Sequence, residues 1–233
     1  MTVGGNESVT VEDETPRRKG RPRNSDSGQR RADIMTAALH RFANHGYADT
    51  SLSIVARDVG ITQPAVYHYF PDKESLYEAV FDAALERAWS AVHARLATVP
   101  EQDRSLLDLA EAMNEGGLDI DQQDARQTNL FLTTVPVEAT RHHELHHLLE
   151  RRSAVQDREI RAIVLPAIRE GRMSGFDDTD AAVRAIRLLM MGWALETFTQ
   201  RENTRENTEV LRSILVRLES GPGAAAATPD SSS

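Results

Sequence analysis

The 233-residue sequence contains no cysteine. Disulfides, thiolate metal sites and cysteine nucleophiles are therefore excluded together. Lysine is scarce, with only Lys19 and Lys73, so arginine carries most of the positive charge. The longest apolar run, Leu188 to Leu195, falls short of the roughly 20 residues that a membrane span needs. Residues 1–15 are acidic and polar with no apolar stretch typical of a secretory signal. We expect a soluble cytoplasmic protein with no membrane partner.

The net charge of −9 is unevenly distributed. Residues 1–15 carry four acids and no base, whereas residues 16–81 carry ten Lys/Arg and seven Asp/Glu. Residues 82–233 carry seventeen Arg and twenty-five acids. A phosphate-binding surface is therefore expected near the N-terminus, because the rest of the chain would repel nucleic acid.

Apolar residues recur at helical spacing almost throughout, and no run of alternating β-branched residues indicates a sheet. The sequence therefore predicts an all-α fold. The predicted helices are Gln29–Asn44, Leu52–Val59, a short one after Thr62, Lys73–Ala97, Ser105–Asn114, Asp121–Val135, Val137–Gly171, Thr179–Gln200 and Thr204–Glu219. Pro136 is expected to separate two of them, and Pro166 to kink or split the next. Residues 1–27 and 220–233 are predicted to be disordered tails, the first of them basic.

The segment Leu52–Phe70 has the spacing of a helix-turn-helix. This motif needs two short helices that cross closely, a tight turn, and apolar residues that fix the crossing angle. Gly60 suits the left-handed turn conformation, and Ala56 is small enough to let the helices touch. The inward positions hold Val55, Val59, Ile61, Val66 and Tyr69. An ordinary helical hairpin in an all-α core has similar spacing and stays open as the alternative.

Residues Arg30 to Phe81 resemble the N-terminal domain of the TetR family of transcriptional regulators. The runs that carry the resemblance are Gly46-Tyr47-Ala48-Asp49-Thr50-Ser51-Leu52, Ile54-Val55-Ala56, Gly60-Ile61, Val66-Tyr67-His68-Tyr69-Phe70 and Asp72-Lys73-Glu74-Ser75-Leu76. The resemblance implies a three-helix DNA-binding domain with a helix-turn-helix over residues 28–82. It also implies a larger helical ligand-binding and dimerisation domain over residues 83–219. Such a protein is most often a repressor that binds a palindromic operator in double-stranded DNA as a homodimer and responds to a small-molecule effector.

The resemblance assigns DNA contacts to the third helix. Gln63, Ala65, Tyr67 and His68 are expected on its groove-facing side. Gln63 has the amide that reads adenine, and Ala65 suits a thymine methyl. Tyr67, His68 and Tyr69 resemble an aromatic cluster that contacts phosphate and sugar. Tyr69 also fits an inward position, so its role stays open between contacting the backbone and bracing the helix.

Other residues are expected to contact the DNA backbone. Thr50 and Ser51 carry hydroxyls beside the N-terminus of the second helix, which suits a phosphate, although capping that helix is the alternative. Lys73 falls where the family places a phosphate-binding lysine. Arg21 and Arg23 belong to a basic run whose Gly-Arg-Pro core resembles an AT-hook, which enters the minor groove. A plain basic arm that screens phosphates is the alternative.

The segment His143-Glu144-Leu145-His146-His147 matches the zinc-protease pattern H-E-x-x-H. On an α-helix His143 and His147 would lie one turn apart, with Glu144 as a base. Four histidines within residues 142–147 make a chance match easy, and no further ligand cluster stands out downstream. We expect no catalytic residue, no metal, no cofactor and no enzyme. A regulatory or structural metal at the histidines is the alternative.

The last two predicted helices are strongly apolar and resemble the pair that forms the dimer interface in the family. Core packing within one chain is the alternative. Large or pliable side chains are candidates for lining an effector cavity, namely Met113, Phe131, Met190 and Trp193. Plain core packing is the alternative for each of them.

Overall fold

The computed structural model describes residues 23–100, 103–117, 123–173, 176, 178–199 and 204–220, and this part of the chain is helical with no strand. The helices are α1 (Arg23–His45), α2 (Leu52–Val59), α3 (Gln63–Tyr69), α4 (Lys73–Leu96), α5 (Leu106–Gly117), α6 (Gln123–Arg141), α7 (His146–Arg169), α8 (Thr179–Thr199) and α9 (Thr204–Ser220). A 3₁₀ turn over His143–Leu145 separates α6 from α7. The all-α prediction is confirmed. No described helix is both long and apolar enough to cross a membrane.

The first three helices pack on α4 around an aromatic core. α1 buries Ile34, Ala38 and Phe42, which recur at helical spacing and so share one face. The ring of Phe42 meets the ring of Tyr77 on α4 edge-on, with centroids 4.8 Å apart. α1 ends at Gly46, whose φ of 78° is the left-handed conformation that a C-terminal glycine adopts without strain.

The start of α1 differs from the prediction. The helix begins at Arg23 rather than near Gln29, so the predicted tail over residues 1–27 ends too late. Gly28 thus lies inside α1, although glycine costs about 1 kcal/mol in a helix interior relative to alanine. Extending a helix that already exists needs no new nucleation, and the buried stripe further along α1 provides the nucleus.

Neither internal proline separates two helices. α6 continues through Pro136 to Arg141, and α7 continues through Pro166 to Arg169, so the predicted break at Pro136 and a split at Pro166 are wrong. Each proline removes one helical hydrogen bond, but the neighbouring turns are held by burial. The buried neighbours are Val135, Ala139, Val164 and Ala167. The chain leaves helical geometry instead at His142, with φ −124° and ψ 101°.

Two apolar cores follow one another along the molecule, and α4 contributes to both. The first core joins α1–α3 to the first half of α4, to α6 and to the start of α7. The second joins the second half of α4 to α5, α7, α8 and α9. The predicted domain boundary at residue 82 therefore falls within an unbroken helix, and the predicted domain limits stay a prediction.

Candidate nucleic-acid interface and interior cavity

Local hydrogen bonds shape the turn between α2 and α3. Ser51 caps α2 by accepting a hydrogen bond from the amide of Ile54 at 3.3 Å. Gly60 ends the helix with φ 71°, where a side chain would be strained. The amide of Ile61 then donates to the carbonyl of Ala56 at 2.9 Å. These bonds form the tight turn that the sequence pattern predicts.

Packing and one ion pair fix the angle between the helices. Val55 of α2 and Val66 of α3 have no exposed surface. Arg41 of α1 binds Asp58 of α2 in a bidentate pair, with 2.5 Å from Nε to Oδ2 and 2.8 Å from Nη2 to Oδ1. Hydrogen bonding to Arg41 lowers the pKa of Asp58. Sequence reasoning missed this pair, because no local pattern joins residues 17 positions apart.

The outward face of α3 brings most of the predicted groove residues together. Gln63, Tyr67 and His68 are exposed and Ala65 is half-buried. Tyr67 leaves 48% of its surface in solvent, which is uncommon for a large aromatic side chain. The amide Nε2 of Gln63 donates to the Tyr67 hydroxyl at a long 3.5 Å. A base edge with better geometry could therefore replace this weak bond.

Tyr69 turns partly inward. Its ring packs against the first core and meets the ring of His68 edge-on, with centroids 5.4 Å apart. The bracing role is thus visible in the structure. A contact between Tyr69 and the DNA backbone stays a prediction.

The two hydroxyl residues before α2 differ in accessibility. Thr50 is 1% exposed, and its hydroxyl donates to the carbonyl of Gly46 at 2.9 Å. In this structure Thr50 braces the turn, and its contact with phosphate stays a prediction. Ser51 is half-buried, and its hydroxyl also shares a 2.8 Å hydrogen bond with that of Ser53. Its contact with phosphate stays a prediction beside its observed capping role.

Lys73 begins α4 and is half-buried. Its Nζ donates to the carbonyl of Tyr47 at 2.9 Å and lies 4.0 Å from the centroid of the Tyr47 ring. Burial lowers the pKa of Lys73, and the carboxylates of Glu144 and Glu138 oppose that shift. An ammonium has three donors, so the bond to Tyr47 leaves capacity for a phosphate.

The predicted basic arm, which includes Arg21 and Arg23, lies almost entirely outside the residues that the structure describes. Arg21 lies outside the described residues. Arg23 is the first residue of α1, and its side chain lies outside the described part of the chain. Minor-groove insertion by these arginines stays a prediction.

The H-E-x-x-H segment does not lie on one α-helix. His143 belongs to the 3₁₀ turn, and its ring stacks on that of His146 with centroids 4.9 Å apart. His147 points to α4 and pairs with Glu78, with 2.5 Å from Nε2 to Oε1. Within the described ranges, the one group able to hold a metal is Glu74, Glu78 and His147, whose ligand atoms lie within 4.8 Å of one another. Since His143 is not part of it, the zinc-protease pattern has no geometric counterpart in this segment.

A half-open cavity of about 100 Å³ lies among α4, α6, α7 and α8, beside the second core. It is lined by Leu85, Ala88, Trp89, Val92, Asn129, Leu132, Thr133, Arg152, Gln156, Met190, Trp193 and Ala194. Met190 and Trp193 thus line a cavity, and ligand binding by them stays a prediction. Phe131 instead packs in the first core, 5.0 Å from Tyr77 between centroids, and does not line this cavity, so its contact with a ligand stays a prediction. Met113 lies on α5, but its side chain is outside the described part of the chain.

α8 and α9 combine buried and exposed apolar faces. Their inner faces, with Ile186 and Leu215 fully buried, belong to the second core. Their outer faces leave Leu188 65%, Leu195 50% and Val210 58% exposed. An open apolar groove follows the junction of the two helices. Packing within one chain therefore explains the inner apolar faces of α8 and α9 but not their exposed outer ones.

Residues 34–80 match the family model of bacterial regulatory proteins of the tetR family. The HTH-type transcriptional regulator BetI of Paraburkholderia phytofirmans is 35% identical to this chain over 85 residues. That alignment covers 36% of this chain and 44% of BetI. The chain thus spans less than half the length of this curated relative.

Solved structures share the fold beyond the DNA-binding domain. A TetR transcription regulator from Haloarcula marismortui has a TM-score of 0.63 at 21% identity, over 82% of this chain and 97% of that protein. SmeT in complex with triclosan has a TM-score of 0.64 at 19% identity, over 81% of this chain and 90% of SmeT. At such identities the likeness establishes the fold. Together with residues 34–80, which match the tetR-family model, it shows a DNA-binding domain of this kind within a TetR-like helical fold.

Proposed function

We propose that the chain is a cytoplasmic, ligand-responsive repressor that binds a palindromic operator as a homodimer. The observation that carries the proposal is the outward face of α3, where Gln63, Tyr67 and His68 are exposed, followed in the chain by α4, which begins at Lys73. A helix-turn-helix combines base-edge contacts, which give specificity, with phosphate contacts, which fix its position. The proposed contact residues are Ser51, Gln63, Ala65, Tyr67, His68, Tyr69, Lys73, Arg21 and Arg23.

The outer face of α8 and α9 supports the homodimer. Its exposed leucines and valine form an apolar surface along two adjacent helices, which a second copy can cover with the same two helices about a two-fold axis. A palindromic operator has the same two-fold symmetry and requires two DNA-binding domains at a fixed separation. One protomer alone would contact a single half-site.

α4 and α6 each connect the proposed DNA-binding domain with the cavity. α4 begins at Lys73 and carries Trp89 in the cavity wall. α6 carries Phe131, whose ring lies 6.3 Å from that of Phe42 on α1, and Thr133, which lines the cavity. A ligand that displaces either helix would change the separation of the two α3 helices. Coupling of about 1–3 kcal/mol is enough to alter operator affinity roughly 5- to 150-fold. The SmeT–triclosan complex is a solved case of a small molecule bound to this fold.

The proposal is tested with the purified protein and the DNA upstream of its own gene. We expect a dimer in analytical ultracentrifugation and a specific complex in a gel-shift. Leu188→Arg places a charge on the exposed α8–α9 face, so it should give monomers and weaken operator binding by about a hundredfold, since the second half-site contact is lost.

The matched control is Val137→Arg, which alters an exposed apolar residue on α6 that is not part of the α8–α9 face. It should leave the dimer and its operator binding intact. A Leu188→Arg variant that stays dimeric would rule out this dimer face. A wild-type protein without preference for any upstream sequence would contradict the proposed function itself.

A further inference from the structure

Arg152 on α7 is a buried cation that has no counter-ion among the described residues. Its residue surface is 9% exposed. Among the residues that the structure describes, no carboxylate pairs with its guanidinium, whereas Arg187 on the facing α8 binds Asp157 at 3.1 Å. Burial, followed by repulsion from Arg187, lowers the pKa of Arg152 to about 10, so the group stays positively charged at neutral pH. An isolated buried charge of this kind destabilises a fold unless an anion joins it.

Arg152 also lines the interior cavity. Three neutral polar side chains line the same space, namely Asn129, Thr133 and Gln156. The remaining wall is apolar and includes the indoles of Trp89 and Trp193. A cavity with one charged group, a few neutral polar groups and a large apolar wall is typical of a site for an amphipathic small molecule.

We propose that this cavity binds an amphipathic monocarboxylate, whose carboxylate pairs with Arg152 and whose apolar part packs against Trp89 and Trp193. A planar guanidinium binds a planar carboxylate through two parallel hydrogen bonds. A single positive charge matches a monoanion better than a doubly charged phosphate ester, because Arg187 is already neutralised by Asp157. Naming this ligand as the effector rests on the proposed function, whereas its binding to the cavity does not.

The two tryptophans of the chain both line the cavity, so intrinsic fluorescence reports directly on its occupancy. The probes are a panel of short alkyl monocarboxylates of about three to six carbons, a size that suits a cavity of about 100 Å³, each paired with its primary amide. We expect at least one carboxylate to bind saturably, and about tenfold or more tightly than its amide. Arg152→Met keeps the length and apolar packing of the side chain, and it should abolish the preference for the carboxylate while retaining amide binding.

Thermal unfolding without ligand adds an independent readout. Arg152→Met should unfold at a higher temperature than wild type, because it removes an uncompensated buried charge. The matched control Arg187→Met breaks the pair with Asp157 and should unfold at a lower temperature.

Three results would overturn the inference. They are the absence of saturable binding by every carboxylate, equal binding of carboxylates and amides, and a loss of stability in Arg152→Met as large as in Arg187→Met. Operator binding is measured on the same ligand-free samples. Intact operator binding without carboxylate binding rejects this inference alone, and carboxylate binding without operator binding rejects the proposed function alone.

Discussion

Gln63 lies in the first turn of α3, with its carboxamide exposed and only weakly bonded to Tyr67. A glutamine amide can donate to and accept from adenine in one plane, so it discriminates among bases. Gln63→Ala should weaken operator binding by roughly 1–3 kcal/mol and relax the preference at one base pair in each half-site. Selection of binding sites from a random DNA pool measures both effects.

Gln29→Ala is the matched control, because its exposed amide bonds to Asp33 on α1 at 2.9 Å. That variant should select the same sites as wild type. If Gln63→Ala did so as well, Gln63 would not be a base-reading residue.

Lys73 combines a structural bond with a charge. Its hydrogen bond to Tyr47 ties α4 to the turn before α2, and its ammonium keeps two further donors for the proposed phosphate. Lys73→Ala should weaken binding to all DNA sequences and reduce the slope of log affinity against log salt by about one. Lys73→Gln should reduce the slope equally, since it keeps a donor but no charge, and Lys73→Arg should preserve it. Weaker binding by Lys73→Ala at an unchanged slope would assign Lys73 a structural role only.

At the scale of the helices, capping determines where α4 begins and hence how the DNA-binding domain joins the rest. Asp72 accepts a hydrogen bond from the amide of Ser75 at 2.7 Å, and this bonding lowers the pKa of Asp72. Asp72→Ala should lower the free energy of unfolding by about 1 kcal/mol at neutral pH. Because the pKa of the folded state lies below the ordinary 3.8, the pH-dependent part of this stabilisation is complete above that value and is lost as the pH falls through the folded pKa.

Urea unfolding at about pH 7 and about pH 3 measures this difference. Asp72→Asn keeps an acceptor for the cap without an ionisable group, so it should retain most of the stability and lose the pH dependence. A destabilisation by Asp72→Ala of equal size at both pH values would mean that the carboxylate charge contributes nothing to the cap.

At the scale of the whole molecule, the DNA-binding face and the cavity share α4 and α6. If a ligand in the cavity weakens operator binding by some factor, linkage requires operator DNA to weaken ligand binding by the same factor. We expect that factor to lie between about 5 and 150. Tryptophan fluorescence titrations of free and operator-bound protein, followed by gel-shifts with and without ligand, measure both sides. A ligand that binds both forms with equal affinity would show that the cavity does not control DNA release.

The DNA-binding domain could be predicted closely from the sequence, because its geometry depends on interactions a few residues apart. Ser51 caps α2, Gly60 adopts the left-handed turn, and Asp72 caps α4, each through contacts within five residues along the chain. The same local spacing predicted that Val55 and Val66 point inward, and both are fully buried. Caps, positive φ values and helical periodicity are all properties of short segments.

Other features were decided by the tertiary structure, because they depend on partners far along the chain. Burial of the turns around Pro136 keeps α6 continuous where the residue type alone predicted a break. Thr50 is enclosed and bonded to Gly46, and Phe131 packs in the core around Tyr77. In the sequence, nothing distinguishes Arg152 from the other arginines. Only the packing of α7 against its neighbours buries Arg152, where no carboxylate of the described residues pairs with it. A periodic pattern predicts which face of a helix is buried, but only the assembled fold determines which neighbour that face meets.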